Sequence, residues 1–291
     1  MKEVRVLVDR MHVGMVFEDK DDANLVATRE WVRSVFHKDF DKPGKVWSSS
    51  KGYSLTNASQ PLSYGDLFVR YGYHTKKLRA WYQFNPDKVD LVELGVHFNL
   101  MLSNGFKTLY STGIATKTEI AIDIDGASYK NYCFIDTVLR TSDCRFQTAG
   151  TLYVGSEFGN RSVICYDKRK EMLETTGEDI GHERLRIETQ LRGANKFPLS
   201  AIAGVENPFR PIVMIDRKKL ASSPMSAAAV FRKRLQICQD AQAAFSTLSK
   251  SERTATRIAL LQLQPSYWNP DKIWKEFPES LHWVDTLCFQ C

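Results

Sequence analysis

The sequence predicts an α+β fold, a central, mostly antiparallel β-sheet with flanking helices, followed by an all-helical C-terminal region. Three observations predict it. Up to about residue 200, short runs that alternate apolar and polar residues stand between segments of helical spacing. Two of those runs are joined by a glycine-flanked turn, between Gly155 and Gly159, of the length a hairpin needs. From about residue 216 onward the pattern is purely helical, and the charged, small-residue stretch RKKLASSP places a boundary near Ile215 to Ser222. The expected organisation is therefore 1–215 as an α+β domain and 216–291 as a helical one.

Taken in order, VRVLVD (4–9) reads as a strand and DDANLVATREWVRSVFHK (21–38) as a helix with Leu25, Val32, Val35 and Phe36 on one face. GKVWSSSKGYSLTNASQPLSYGDLFVRYGY is turn-rich and aromatic, a set of hairpins or a long loop. LRAWYQF (78–84) is a strand, and Asn85-Pro86 is expected to start a helix through DLVELGVHFNLML, with Gly105 near its end. Four strands follow at TEIAIDID (118–125), TLYVGS (151–156), SVICYDK (162–168) and RLRIETQLR (184–192). In the helical region Ser223-Pro224 reads as a cap and first-turn proline, with Ala227, Phe231, Leu235, Cys238, Phe245 and Leu248 as an apolar stripe. Ser249 and Glu252 form a capping box, Pro265 stops that helix, and Asn269-Pro270 opens another that breaks near Pro278.

Composition bounds the function. With 291 residues, 43% of them hydrophobic, the chain can bury a full core. No apolar run approaches the roughly 18 residues of a membrane span, and charges interrupt MKEVRVLVDRMHVG, so a soluble, cytoplasmic protein that is not secreted is expected. The six cysteines are scattered, and the one CxxC, Cys288 to Cys291, lacks the second pair that a zinc site needs. The net charge of +6 favours a polyanionic partner weakly. Its basic clusters, Arg217-Lys218-Lys219 and Arg232-Lys233-Arg234 with Lys250, Arg253 and Arg257, fit either a solvated helical face or nucleic-acid contact.

Chemistry concentrates on three strands. Alternate strand residues share a face. Glu119, Asp123 and Asp125 therefore fall together, opposite Ile120, Ile122 and Ile124. Tyr166 shares a face with Ser162, Ile164 and Lys168, and Arg184, Arg186, Glu188 and Gln190 line another. Rigidly held carboxylates suit a hard cation such as Mg²⁺ or Mn²⁺, although one wet face of an antiparallel sheet would look the same. Were these faces one face of one sheet, Tyr166, Lys168, Arg186, Glu188, Glu119 and Asp123 would make a phosphoryl-transfer set, with the phenol as nucleophile.

TLYVGS, RSVICYDKRKE and ERLRIETQLRG, preceded by KTEIAIDID, resemble the replication initiation factors of rolling-circle plasmids and phages. WYQFNPDKV resembles the equivalent segment of the gene II type replication proteins of filamentous phages, and the resemblance spans roughly residues 78–193. It implies an RRM-like nickase sheet and a site-specific single-strand endonuclease and strand transferase. Such an enzyme makes a 5′-phosphotyrosyl link, frees a 3′-OH primer and later reseals the strand. By the same resemblance Tyr166 is the nucleophile, and Glu119, Asp123, Asp125 and Glu188 bind Mg²⁺ or Mn²⁺ or supply a base. Lys168, Arg186 and Arg192 contact phosphates. Lys117 and Glu119 stand where the family has arginine and aspartate, and no His-hydrophobe-His triplet occurs among the six histidines. The implied partners are double-stranded origin DNA, single-stranded DNA, a host helicase and, in a homodimer, a second copy; the implied compartment is the bacterial host's cytoplasm. The basic clusters then become DNA contacts. Trp47, Tyr53, Tyr64, Tyr71 and Tyr73, among Lys51, Arg70, Lys76 and Lys77, become stacking platforms for unpaired bases. Tyr153 is a candidate second nucleophile. A conjugative relaxase shares this chemistry, and a catalytically silent DNA-binding regulator shares the sheet.

Overall fold

The computed structural model describes residues 2–35, 67–74, 77–139, 145–147, 151–156, 159–238 and 240–290. Trp47, Lys51, Tyr53, Tyr64, Lys76, Cys144 and Cys291, and the side chains of Arg70 and Tyr73, lie outside the described residues. In chain order the first elements are β1 (Val4–Phe17), α1 (Ala23–Val35), β2 (Phe68–His74), β3 (Lys77–Phe84), α2 (Leu91–Met101), α3 (Phe106–Thr112), β4 (Ile114–Asp125) and β5 (Tyr132–Asp136). Next come β6 (Arg145–Gln147), β7 (Thr151–Val154), β8 (Arg161–Asp167), α4 (Lys168–Thr176), β9 (Arg184–Pro198) and β10 (Ile212–Asp216). The chain ends in α5 (Arg217–Ser222), α6 (Ser226–Ile237), α7 (Ala241–Ser246), α8 (Lys250–Gln262), α9 (Pro270–Ile273) and α10 (His282–Asp285).

Among the described residues the strands form an eight-stranded sheet in the order β2-β3-β1-β4-β9-β8-β7-β6 and a two-stranded sheet of β10 and β5. The pairs β1–β3, β2–β3, β6–β7, β7–β8 and β10–β5 are antiparallel. The class is the expected α+β, with helices filling the C-terminal region. No helix among the described residues is long and apolar enough to cross a membrane. By compactness the chain divides into two units, each made of three stretches: Met1–Leu7, Ile120–Gln190 and Glu206–Phe277 form one, and Val8–Glu119, Leu191–Val205 and Pro278–Cys291 the other. The region from residue 216 onward thus contributes to both.

In the first unit the core joins the small sheet to the helices. Cys133 and Ile135 of β5, Val213 and Ile215 of β10, Leu220, Phe231, Phe245 and Leu260 pack into one buried cluster. A polar node runs through it. Gln242 accepts from the Asp136 amide at 2.6 Å and donates to the carbonyls of Asp136 and Leu139. The Asp136 carboxylate receives Arg161 at 2.5 Å, and the same guanidinium donates to the Pro208 carbonyl. Arg161 is the first residue of β8, so this node anchors the strand that carries Tyr166. The hairpin entering β8 needs its glycine: Gly155 has φ of 99°, and a Cβ there would stand 2.8 Å from the Arg161 carbonyl. In the second unit an aromatic cluster does the same work, with Phe84 edge-on to Phe98 and Trp283 at 5.7 Å each and to Phe106 at 6.2 Å.

Several local expectations change. Asn85 does not begin a helix; its side chain accepts from the Asp87 amide in a turn, and Asp90, accepting from the amides of Val92 and Glu93, caps α2. Ser223 closes α5 instead of opening α6, whose N-cap is Met225. The stripe from Ala227 to Leu248 is not one helix, because Asp240 competes for the backbone and starts α7 by accepting from Ala243. RKKLAS, expected to mark a boundary, is a helix, α5, capped by Asp216. Lys168 begins α4 and does not continue the strand. Short buried strands β5 and β10 were not anticipated. The capping box at Ser249 and Glu252 and the cap at Asn269 are as expected, whereas the helix after Asn269 stops at Ile273, and Pro278 stands inside a 3₁₀ helix, Trp274–Leu281, that runs on past it.

Removing the ring of Phe231, which is wholly buried, is expected to destabilise the protein by about 3–5 kcal/mol in Phe231→Ala. Ser249→Ala is expected to lose about 1 kcal/mol. Urea titrations followed by circular dichroism check both.

Candidate active site

Two cross-strand contacts decide whether the three polar strand faces coincide. Arg186 of β9 grips Asp123 of β4 with a two-pronged bond, Nε to Oδ1 at 2.6 Å and Nη2 to Oδ2 at 2.7 Å. Ser162 of β8 donates to Gln190 of β9 at 3.4 Å. Asp123 brings in the acidic face of β4. Gln190 and Arg186 share one face of β9, and Ser162 shares its face of β8 with Tyr166. The three faces are therefore one face of one sheet, within the first unit. Tyr153 of β7 joins it opposite Ile164, and its phenol is pushed above the usual range by burial and by the charge of Glu188.

This face is not wet at its centre. Asp123, Arg186 and Glu188 are 3%, 3% and 6% exposed, as deeply placed as much of the apolar core. On the opposite side Ile120, Ile122, Ile124, Leu185 and Ile187 are buried. A solvated sheet face is thereby excluded at these positions, where β4 and β9 are covered on both sides. Isolated charges could not stand there, which explains the pairing. Gln190 donates to Glu188 at 3.1 Å and fixes that carboxylate, and the half-exposed Arg5 of β1 approaches Asp123 at 3.6 Å.

Tyr166 lies at the end of β8, opposite Thr151, and is partly exposed. Its neighbours have distinct tasks. Asp167 is the N-cap of α4, accepting from the Lys170 amide at 3.1 Å. Lys168 is buried, with its ammonium 5.9 Å from the centre of the Tyr166 ring and 2.5 Å from Glu171. Arg169 forks onto Asp179 at 2.7 and 2.8 Å. The charge cluster after the tyrosine is thus a helix start whose first residue turns its cation back onto the ring.

The other expected residues are placed differently. Asp125, at the end of β4, is held by Arg184 at 2.5 Å and His182 at 3.0 Å. Burial raises its pKa, but these two partners outweigh that and hold the carboxyl below its usual value. Glu119 falls in the second unit, buried, bound by Lys117 and approached by Arg10 at 3.8 Å. Arg192 belongs to that unit as well. Arg217, Lys219 and Arg232 are occupied with backbone: Arg217 donates to Tyr132, Lys219 to Gln264, and Arg232 to Leu220 and Ser223. Lys218, Lys233, Arg234, Arg253 and Arg257 are exposed on their helices. Arg5, Arg10 and the Asp136–Arg161 pair escaped the sequence reading, since nothing local marks which distant acid a cation will meet.

No protein-family model matches the chain, and no curated protein does. In structure the chain is similar to a solved rolling circle replication initiator protein from Geobacillus stearothermophilus. The likeness has 16% identity and a TM-score of 0.40, over 78% of this chain and 91% of that one. At that level activity does not transfer, and it has to come from the side chains of the face itself.

A divalent cation fits those side chains poorly. Mg²⁺ and Mn²⁺ need several converging oxygen ligands. Both oxygens of Asp123 are taken by Arg186, those of Asp125 by Arg184 and His182, and Glu119 by Lys117 and Arg10. Among the described residues no three His, Cys, Asp or Glu side chains gather in an arrangement that would hold a metal.

Arg186→Ala leaves a buried carboxylate without its partner and is expected to cost about 3–5 kcal/mol, whereas Arg186→Met with Asp123→Leu should cost far less; denaturant melts distinguish the two. A carboxyl held below its unfolded value of 3.8 stabilises above that pH and loses its contribution as pH falls through the folded value. The stability gap between wild type and Asp125→Asn is therefore expected to shrink between pH 5 and strongly acid solution, measured by thermal melts across that range.

Proposed function

We propose that this chain is a replication initiator that nicks one DNA strand through Tyr166 and later rejoins it. One observation carries the reading: Tyr166, with Lys168 over its ring, stands on the same sheet face as Arg186 and Glu188. These are the residues that the resemblance to rolling-circle initiators singles out. The order of the motifs along residues 78–193 supports it further.

The chemistry follows from the groups on that face. The Tyr166 oxygen attacks a backbone phosphorus, forming a tyrosyl–phosphorus bond as the bond from phosphorus to the 3′ oxygen breaks. The phosphorus keeps its link to the 5′ oxygen, so the protein becomes joined to the 5′ end. The phenol's proton passes to Glu188, whose carboxylate Gln190 holds in place, and the departing oxygen takes up a proton to become a 3′-OH. The Lys168 ammonium beside the ring lowers the cost of charge developing on the phenol. Arg186 acts as a positioning residue, since its fork is committed to Asp123. Because the phosphotyrosyl bond retains the free energy of the phosphodiester, attack by a 3′-OH reverses the step without ATP. The basic C-terminal helices would hold the duplex during both steps.

The test uses supercoiled DNA of the replicon that encodes the chain, incubated with the protein in parallel with and without Mn²⁺. Nicked circles with protein attached at a 5′ end are the expected products, absent with Tyr166→Phe. Lys168→Met should slow the reaction on the order of 10²-fold. Equal nicking by wild type and Tyr166→Phe would show that another group attacks; duplex binding without any nicking would favour the silent regulator.

A further inference from the structure

α6, α7 and α8 lie in the first unit and share its buried cluster through Ala228, Phe231, Ala241, Ala244, Phe245, Leu248 and Leu260. Only residues 247–249 separate α7 from α8, the spacing of a helix-turn-helix, in which the second helix enters the major groove. α8 has the two faces such a helix needs. Thr256, Ala259 and Leu260 are buried at helical spacing. Lys250, Arg253, Thr254, Arg257, Ile258 and Leu261 are exposed. At 100° per residue Lys250, Thr254, Arg257 and Leu261 lie within one narrow stripe, flanked by Arg253 and Ile258. The outward face carries three cations and no carboxylate. The helix's one acid, Glu252, is turned back to the Ser249 amide at 2.8 Å, and that bond, with the Ser249 side chain, holds its carboxyl below the usual value.

Two features argue for duplex DNA as the occupant of this face. Charge complementarity is one. The other is the division of labour among the basic residues: Arg217, Lys219 and Arg232 are spent on carbonyl oxygens of the fold, whereas Arg253 and Arg257 stand out on α8 with Thr254 between them. Arginine forks read guanine edges, and Thr254 and the 57% exposed Ile258 offer methyl groups to thymine. We propose that α8 is the helix that reads the sequence of a DNA duplex, with Arg253 and Arg257 as its base-contacting residues and Lys250 as a phosphate contact. This deepens the initiator reading by assigning the recognition element, and it does not depend on Tyr166 being the nucleophile.

The experiment is equilibrium binding, run with Tyr166→Phe protein so that strand cleavage plays no part. Selection from a pool of 30-bp duplexes with randomised centres is expected to enrich one sequence. With Arg253→Ala and Arg257→Ala together, discrimination between that sequence and a scrambled duplex should fall roughly ten-fold or more, and the salt slope of binding by about two units. Arg257→Lys keeps the charge but loses the fork, so its salt slope should hold while discrimination falls. Both sites are exposed, and unchanged melting temperatures confirm that the variants fold. Enrichment of the same sequence by the double alanine variant with unchanged discrimination, or no enrichment by the parent protein, overturns the proposal. A negative nicking assay leaves this result untouched.

Discussion

The bond between Asp123 and Arg186 sets the terms for everything around it. Two opposite charges at 3% exposure each, on neighbouring strands in the middle of a sheet, are costly to bury and tolerable only together. Apolar side chains of the same size would hold β4 to β9 at least as well, so the pair is a weak way to gain stability. What it does provide is register. A guanidinium fork meets a carboxylate with both prongs in one alignment only, and a slip of one residue would carry the shifted strand's charge to the opposite, isoleucine-lined face and leave its partner buried alone. With β9 fixed against β4, Gln190 and Glu188 take their places, and β8 is aligned through Ser162.

Much of that face was readable in the sequence because strand geometry has a period of two. Alternation in TEIAIDID and RLRIETQLR sorted acids and bases from isoleucines and leucines without any knowledge of partners. What alternation cannot supply is whether separate strands present their polar sides to the same layer; that depends on strand order, which is a long-range outcome. Nor does it reveal burial. A wet face and a face of paired charges have identical patterns, and only the cross-strand contacts distinguish them.

The elements that were missed share a cause. YCFID is short and buried throughout and IVMID is buried up to its final Asp216, so they carry no alternation and look like fragments of anything apolar. The helix starts at Asp90 and Met225 were displaced from the prolines that seemed to announce them, since a proline fits the first turn of a helix and an ordinary turn equally well. Asp240 broke a plausible apolar stripe by capping. Cations were hardest to place: Arg161 and Arg232 look like the rest of a basic surface, yet the fold spends both on interior acceptors.

The short connection from β8 to α4 has a mechanical side. Tyr166 is the last residue but one of a strand flanked by β9 and β7, and Asp167 locks the chain into a helix directly after it. Of a load applied at Tyr166, as a polymer tethered there would apply, the component along the strand passes into β8. Hydrogen bonds to both neighbours then bear it side by side, in shear, instead of opening one after another as they would at a sheet edge. Arg161, seated on Asp136 and Pro208 at the far end of the strand, resists the same pull. The place of Tyr166 in the sheet therefore makes it a mechanical anchor, whatever is attached to it.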